Sequence, residues 1–182
     1  MAYYYYSFSD LEKKNVDGML CSLIKQLCCC RLDTPKALND LRPYKERGHR
    51  PEREKLMGAL ASAFEGFSDV FLVVDALDEC PTAGHELEAL LKCLSQILNA
   101  NHANLHLLCT SRRELAIEKA LEPFLTPANT DIDLSLFKYK AGVDSDISRH
   151  VDKVFATETY QDWPEDIKME AREALIQKAD GM

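Results

Sequence analysis

Apolar residues recur along this chain at two different spacings, and the spacing alone divides it into helices and strands. Val16, Met19, Leu20, Leu23, Ile24 and Leu27 follow a helical period and predict an amphipathic helix ending near Cys28-Cys29-Cys30. Leu56, Leu60 and Phe64, after Pro51 in a first-turn position, predict a second helix. Leu87, Leu90, Leu91, Leu94, Ile97 and Leu98 give the cleanest helical period in the sequence. Between these helices the pattern changes. Tyr3 to Phe8 is aromatic-rich and runs into Ser9-Asp10, as a strand entering a polar turn does. Val70 to Val74 is wholly apolar, the pattern of a strand buried on both faces, and implies helices on both sides of a sheet. Leu105 to Thr110 reads as a third strand, and Ile132, Leu134 and Leu136 alternate like a fourth. Leu32 to Gly48, with two prolines, reads as irregular; Leu115 to Leu121, Val143 to Phe155 and Glu165 to Ala179 read as helices.

Strands that alternate with helices of this length predict an α/β fold with a mostly parallel sheet and right-handed crossovers. In such sheets chemistry gathers beyond the carboxyl ends of the strands. Here that means Ser9-Asp10, Asp75 to Glu79, and Thr110 to Arg113.

Composition narrows the possibilities. The 182 residues are 46% hydrophobic and 29% charged, which excludes fibrous and disordered classes and leaves room for a core. The longest strictly aliphatic or aromatic run, Val70 to Val74, is far short of the ~18 residues of a membrane span, so no membrane association is expected. No secretory signal is evident at the start, and the expected compartment is cytoplasmic. Seven cysteines without a Cys-x-x-Cys pair read as reduced thiols. Charge is uneven: residues 31–56 carry eight basic and five acidic residues, residues 57–182 eleven and twenty-two. An acidic body repels polyanions, so nucleic acid is not an expected partner. The basic stretch Arg42 to Lys55 holds three acids among its six cations and reads as a solvated loop and helix start.

The segment VFLVVDALDE ends an apolar strand in three carboxylates within five residues. A carboxylate fixed at the end of a buried strand can position hydrated Mg²⁺ beside a triphosphate, which makes Asp75 a candidate Walker B acid. Asp78 or Glu79 could then orient an attacking water. The same three acids would also serve as solvated turn residues and caps ahead of the next helix. Thr110-Ser111-Arg112 ends the following strand, from where a guanidinium could reach a terminal phosphate. Cys93, His102, His106 and Cys109 could be drawn as a zinc set, but a strand through 105–109 puts His106 and Cys109 on opposite faces. The cysteine triplet reads as buried or partly buried thiols.

Taken together, VFLVVDALDECP, NLHLLCTSRRE, YYYYSFSD and MLCSLIKQL resemble the fungal NACHT-type STAND nucleoside triphosphatases, including the nephrocystin-type N-terminal module. The resemblance runs over nearly the whole chain. It implies a P-loop NTPase-like parallel sheet flanked by helices over 1–137 and the start of a helical extension over 138–182. It also implies that Asp75 is the Mg²⁺-associated acid, Asp78 and Glu79 the accompanying catalytic acids, and Arg112 a sensor of the γ-phosphate. Proteins of this kind are nucleotide-dependent switches, using ATP or GTP with Mg²⁺, and often carry ankyrin or WD repeats downstream.

The phosphate-binding loop G-x-x-x-x-G-K-[ST] has no counterpart here: no Lys follows a Gly, and none precedes a Ser or Thr. The chain therefore reads as an internal piece whose first, Walker A strand is missing, expected to bind no nucleotide alone. That strand belongs between the third and fourth strands, and unpaired edges left there predict marginal stability or self-association. The alternative reading is a non-catalytic interaction or decoy module that pairs with full-length relatives.

Overall fold

The computed structural model describes residues 1–7, 15–30, 36–126, 130–134 and 136–179. It divides into two compact units, Met1–Leu125 and Thr126–Met182. The first is an α/β unit built on three parallel strands, β1 (Ala2–Tyr5), β2 (Val70–Asp75) and β3 (Leu105–Cys109), in the order β1-β2-β3. Tyr4 stands opposite Val74, and Val74 opposite Cys109, so the carboxyl ends of all three strands are level.

Helices α1 (Val16–Cys29), α2 (Lys36–Glu46) and α3 (Arg53–Phe64) connect β1 to β2; α4 (Glu86–Asn99) connects β2 to β3, and α5 (Leu115–Leu121) follows. The Asn15 side chain caps α1 by accepting the Gly18 amide at 2.6 Å. The Val16 amide donates to Glu86 at 2.9 Å, so a carboxylate from α4 completes that cap. Arg53 at the start of α3 bonds Asp17 at 2.6 Å. The periodic residues of α1, α3 and α4 then form one core cluster with Ala2, Tyr4, Tyr6, Val70, Leu72 and Val74.

In β1 and β2 every second residue is therefore buried, but the residues between them are not. Phe71 is 49% exposed and Leu108 57%, with Tyr3, Tyr5 and His106 on the same open face. The five apolar residues of β2 do not mark a strand buried on both faces. Both crossovers step in the same direction across the sheet, and right-handed connections stepping the same way place their helices on the same side. The outer edge of β1 is closed by a side chain: the Tyr3 amide donates to Gln26 Oε1 at 3.1 Å, and Gln26 Nε2 donates to the Tyr3 carbonyl at 2.7 Å. β3 is the last strand on the other side among the described residues. On its inner face Leu107 and Cys109 are half-buried, and burial pushes the Cys109 thiol up to about 12.

Three further expectations change. Residues 36–46 form α2 rather than an irregular stretch, with Pro43 inside the helix and Leu41 packed against the core. Pro43 sits in the last turn, where its missing amide removes only one helical bond. β1 ends at Tyr5, and Phe8, Ser9 and Asp10 lie outside the described residues. Ile132, Leu134 and Leu136 do not form a fourth strand: among the described residues of 130–136 there is none, and all three side chains are exposed. Alternation permits a strand, but a strand needs a neighbour to hydrogen-bond.

The second unit contains α6 (Phe137–Phe155) and α7 (Glu165–Ala179), joined through a 3₁₀ turn over Glu158–Tyr160. Arg172 of α7 donates to Asp152 at 2.8 Å and also to the Ser148 hydroxyl. Phe155, Tyr160 and Trp163 pack around the connection. Among the described residues of both units, no helix is long and apolar enough to cross a membrane.

Candidate functional site

Where β2 and β3 end, their loops remain hydrogen-bonded. Thr110 donates its amide to the Val74 carbonyl at 3.1 Å, and its own carbonyl accepts the Leu77 amide at 2.9 Å. The Thr110 hydroxyl donates to Asp75 and accepts the Ala76 amide at 3.0 Å. One threonine just past β3 thus holds both the carboxylate that ends β2 and the main chain that follows it.

Ala76 sits at φ 56°, ψ 55°, a left-handed conformation that costs a residue with a Cβ about 1–2 kcal/mol. Its consequence is a sharp reversal into a 3₁₀ turn over Leu77–Glu79. Leu77 is fully buried and anchors that turn in the core. The turn carries Asp78 back toward β3.

The Asp78 side chain is only 7% exposed. Its Oδ1 accepts the Arg112 main-chain amide at 2.9 Å and the Ser111 hydroxyl at 3.3 Å. Its Oδ2 accepts Arg112 Nε at 2.7 Å. Burial by itself pushes the Asp78 carboxyl up, but the Arg112 amide and guanidinium outweigh it, and the carboxyl lies below its ordinary value. The side-chain bond to Asp78 raises Arg112 in turn, with Glu79 and Glu114 adding to the negative field around it. Arg113 turns away to Glu118 at the start of α5, at 2.6 Å.

Asp75, Asp78, Glu79 and Arg112 therefore all lie at the carboxyl ends of β2 and β3, and Asp78 and Arg112 are in direct contact. Glu79 is half-buried on the same turn as Asp78. The residue whose part was not read from the sequence is Thr110. The available signal was its place, a hydroxyl at the end of the strand next to an acid-ended one. The four residues of the zinc set do not gather. His106 stacks on Phe71 at 4.5 Å and bonds Asp69 at 3.2 Å, His102 meets the Phe64 ring edge-on at 5.2 Å, and Cys93 is buried on α4. Among the described residues, no group of three His, Cys, Asp or Glu side chains could hold a metal ion.

A protein-family model described as Nephrocystin 3, N-terminal, matches residues 1–112. That span runs through all three strands and includes Asp75, Asp78, Glu79 and Arg112. No curated protein and no solved structure matches the chain. With more than half of its residues matched, the chain belongs to the nephrocystin 3 N-terminal family.

Proposed function

We propose that this chain is the core of a NACHT-type signalling switch, a nucleoside triphosphatase module that responds to Mg²⁺ with ATP or GTP. The observation that carries the reading is the joining of the Asp75–Glu79 and Thr110–Arg112 loops at the carboxyl ends of two parallel strands. Acids and an arginine collected there suit phosphoryl chemistry, which needs positioning and charge neutralisation more than covalent participation. Asp75 is the Walker B acid, and Arg112 the group that senses a terminal phosphate.

The residues fit Mg²⁺ in the way a triphosphate site uses it. One exposed carboxylate, steadied by Thr110, is available, and Mg²⁺ is commonly held by one or two carboxylates with phosphate oxygens and waters completing its shell. Bound there, the ion would neutralise phosphate charge. Asp75 would orient it, and Arg112 would supply a second positive charge.

The phosphate-binding loop belongs to a strand–helix unit preceding Ala2 in the complete protein. The open face of the sheet supports this. A right-handed crossover from a strand outside β3 back to β1 steps opposite to the existing connections, so its helix falls on the face carrying Phe71 and Leu108. The domain limits 1–137 and 138–182, the cytoplasmic setting and a downstream repeat array are parts of the same proposal.

The test is to extend the reading frame upstream, express the extended protein and titrate it with fluorescent ATP and GTP, with and without Mg²⁺. Binding by the extended protein, weakened at least about tenfold by Asp75→Ala, is the expected result. An extended protein that carries G-x-x-x-x-G-K-[ST] yet binds neither nucleotide overturns it. A second reading, a non-catalytic module that pairs with its own kind or with full-length relatives, draws on the same exposed face. It is favoured if no such loop lies upstream and the chain self-associates in light scattering.

A further inference from the structure

We infer that Asp78 is a positioning residue, which holds the Arg112 guanidinium and main chain over the carboxyl ends of β2 and β3 and acts on a phosphate only through that arginine. The identity of the ligand rests on the nucleotide-switch reading; the clasp itself does not.

Three bonds argue for it. An ionised carboxylate is an acceptor only, and both Asp78 oxygens already accept: Oδ1 from the Arg112 amide and the Ser111 hydroxyl, Oδ2 from Arg112 Nε. Two of the three donors belong to one residue, and they approach from its main chain and from its side chain. Such a grip fixes where the Arg112 backbone lies and how the guanidinium plane is turned. A charge fixed before the ligand arrives needs no reorganisation when it does. The same grip makes Asp78 a poor orienter of water, because its oxygens are engaged, it is almost fully enclosed, and its proton affinity is lowered. Lysine could not replace Arg112, since it has no Nε–H donor beside its terminal group.

Arginine Nε–H groups can be followed by ¹H–¹⁵N spectroscopy in the full 182-residue chain without any nucleotide. Arg42, in an exposed pair with Glu46, is an internal reference. The Arg112 Nε–H should exchange with solvent at least about tenfold more slowly than that of Arg42. Asp78→Asn should remove this protection, while Glu79→Gln should leave it within about twofold. Should Asp78→Asn fail to fold, acid titration of the wild type replaces it: protection should survive below the ordinary aspartate range and disappear as Asp78 protonates. Exchange as fast as that of Arg42 at neutral pH overturns the inference, and so does an equal loss in Glu79→Gln. Because no nucleotide enters, failure here leaves the proposed function standing, and failure of nucleotide binding leaves the clasp standing.

Discussion

On one face of the sheet Val70, Leu72 and Val74 are buried in a single cluster with α1, α3 and α4; on the other, Phe71 and Leu108 stand about half open. Along Val70 to Val74 both faces are apolar in sequence, and they differ in what the connections lay over them. Burial in a parallel sheet is thus decided by the direction in which crossovers step as much as by the residues of the strand. The edges differ as well. The amide of Gln26 pairs with both backbone groups of Tyr3, as a neighbouring strand would, and makes β1 a poor template for another chain.

The sharpest way to break the comparison is a pair of truncations. Leu72→Ala should cost about 2–5 kcal/mol in urea unfolding, the usual range for a large core side chain. Leu108→Ala on the open face should cost under about 1 kcal/mol, and equal losses would mean that both faces are covered. Next in size is Gln26→Ala, expected to lower stability by about 1 kcal/mol and to promote aggregation by uncovering the β1 edge. Unchanged light scattering and an unchanged urea midpoint would show that the plug does not protect that edge.

The pH dependence that Asp78 gives to stability is confined to acid. Its folded value lies below the unfolded one, so the stability it supplies is complete above the ordinary aspartate range, near pH 4. That stability is lost as pH falls through the folded value. Urea midpoints of the wild type should therefore drop in this window, and Asp78→Asn should flatten the drop. The smallest effect on stability is expected for Leu108→Lys, within about 0.5 kcal/mol, although it places a charge on the exposed patch. If the open face is where copies meet, this variant should be more monomeric in light scattering; unchanged association would move the contact elsewhere.

Much of this architecture is legible in the sequence because α1, α3, α4 and α7 repeat their apolar residues at helical spacing, and because β2 and β3 are short apolar runs between turns. What escapes does so for physical reasons. Helix α2 has a thin apolar stripe and a proline, and depends on Leu41 reaching the core. The alternation at Ile132, Leu134 and Leu136 promises a strand that hydrogen-bonded neighbours must complete. Five apolar residues in β2 look the same whether one face or two are covered. At the site, the residue types were readable, since acids and an arginine at strand ends are a local pattern. Their pairing was not: Asp78 and Arg112 lie 34 positions apart, and the left-handed turn at Ala76 that brings them together occurs at an alanine. A glycine there would have announced the turn.

The half-buried thiol on β3 turns the edge strand into its own clock. Burial pushes the Cys109 thiol up to about 12, so little of it is thiolate at neutral pH and a closed molecule should react slowly with an alkylating reagent. Cys29 and Cys30, exposed at the end of α1, are open to the reagent and serve as the reference in the same tube. The ratio of the two rates, read by mass spectrometry, counts how often β3 leaves the sheet. A ligand or a neighbouring strand that seals this edge would slow Cys109 alone, and would be detected without any knowledge of what it is.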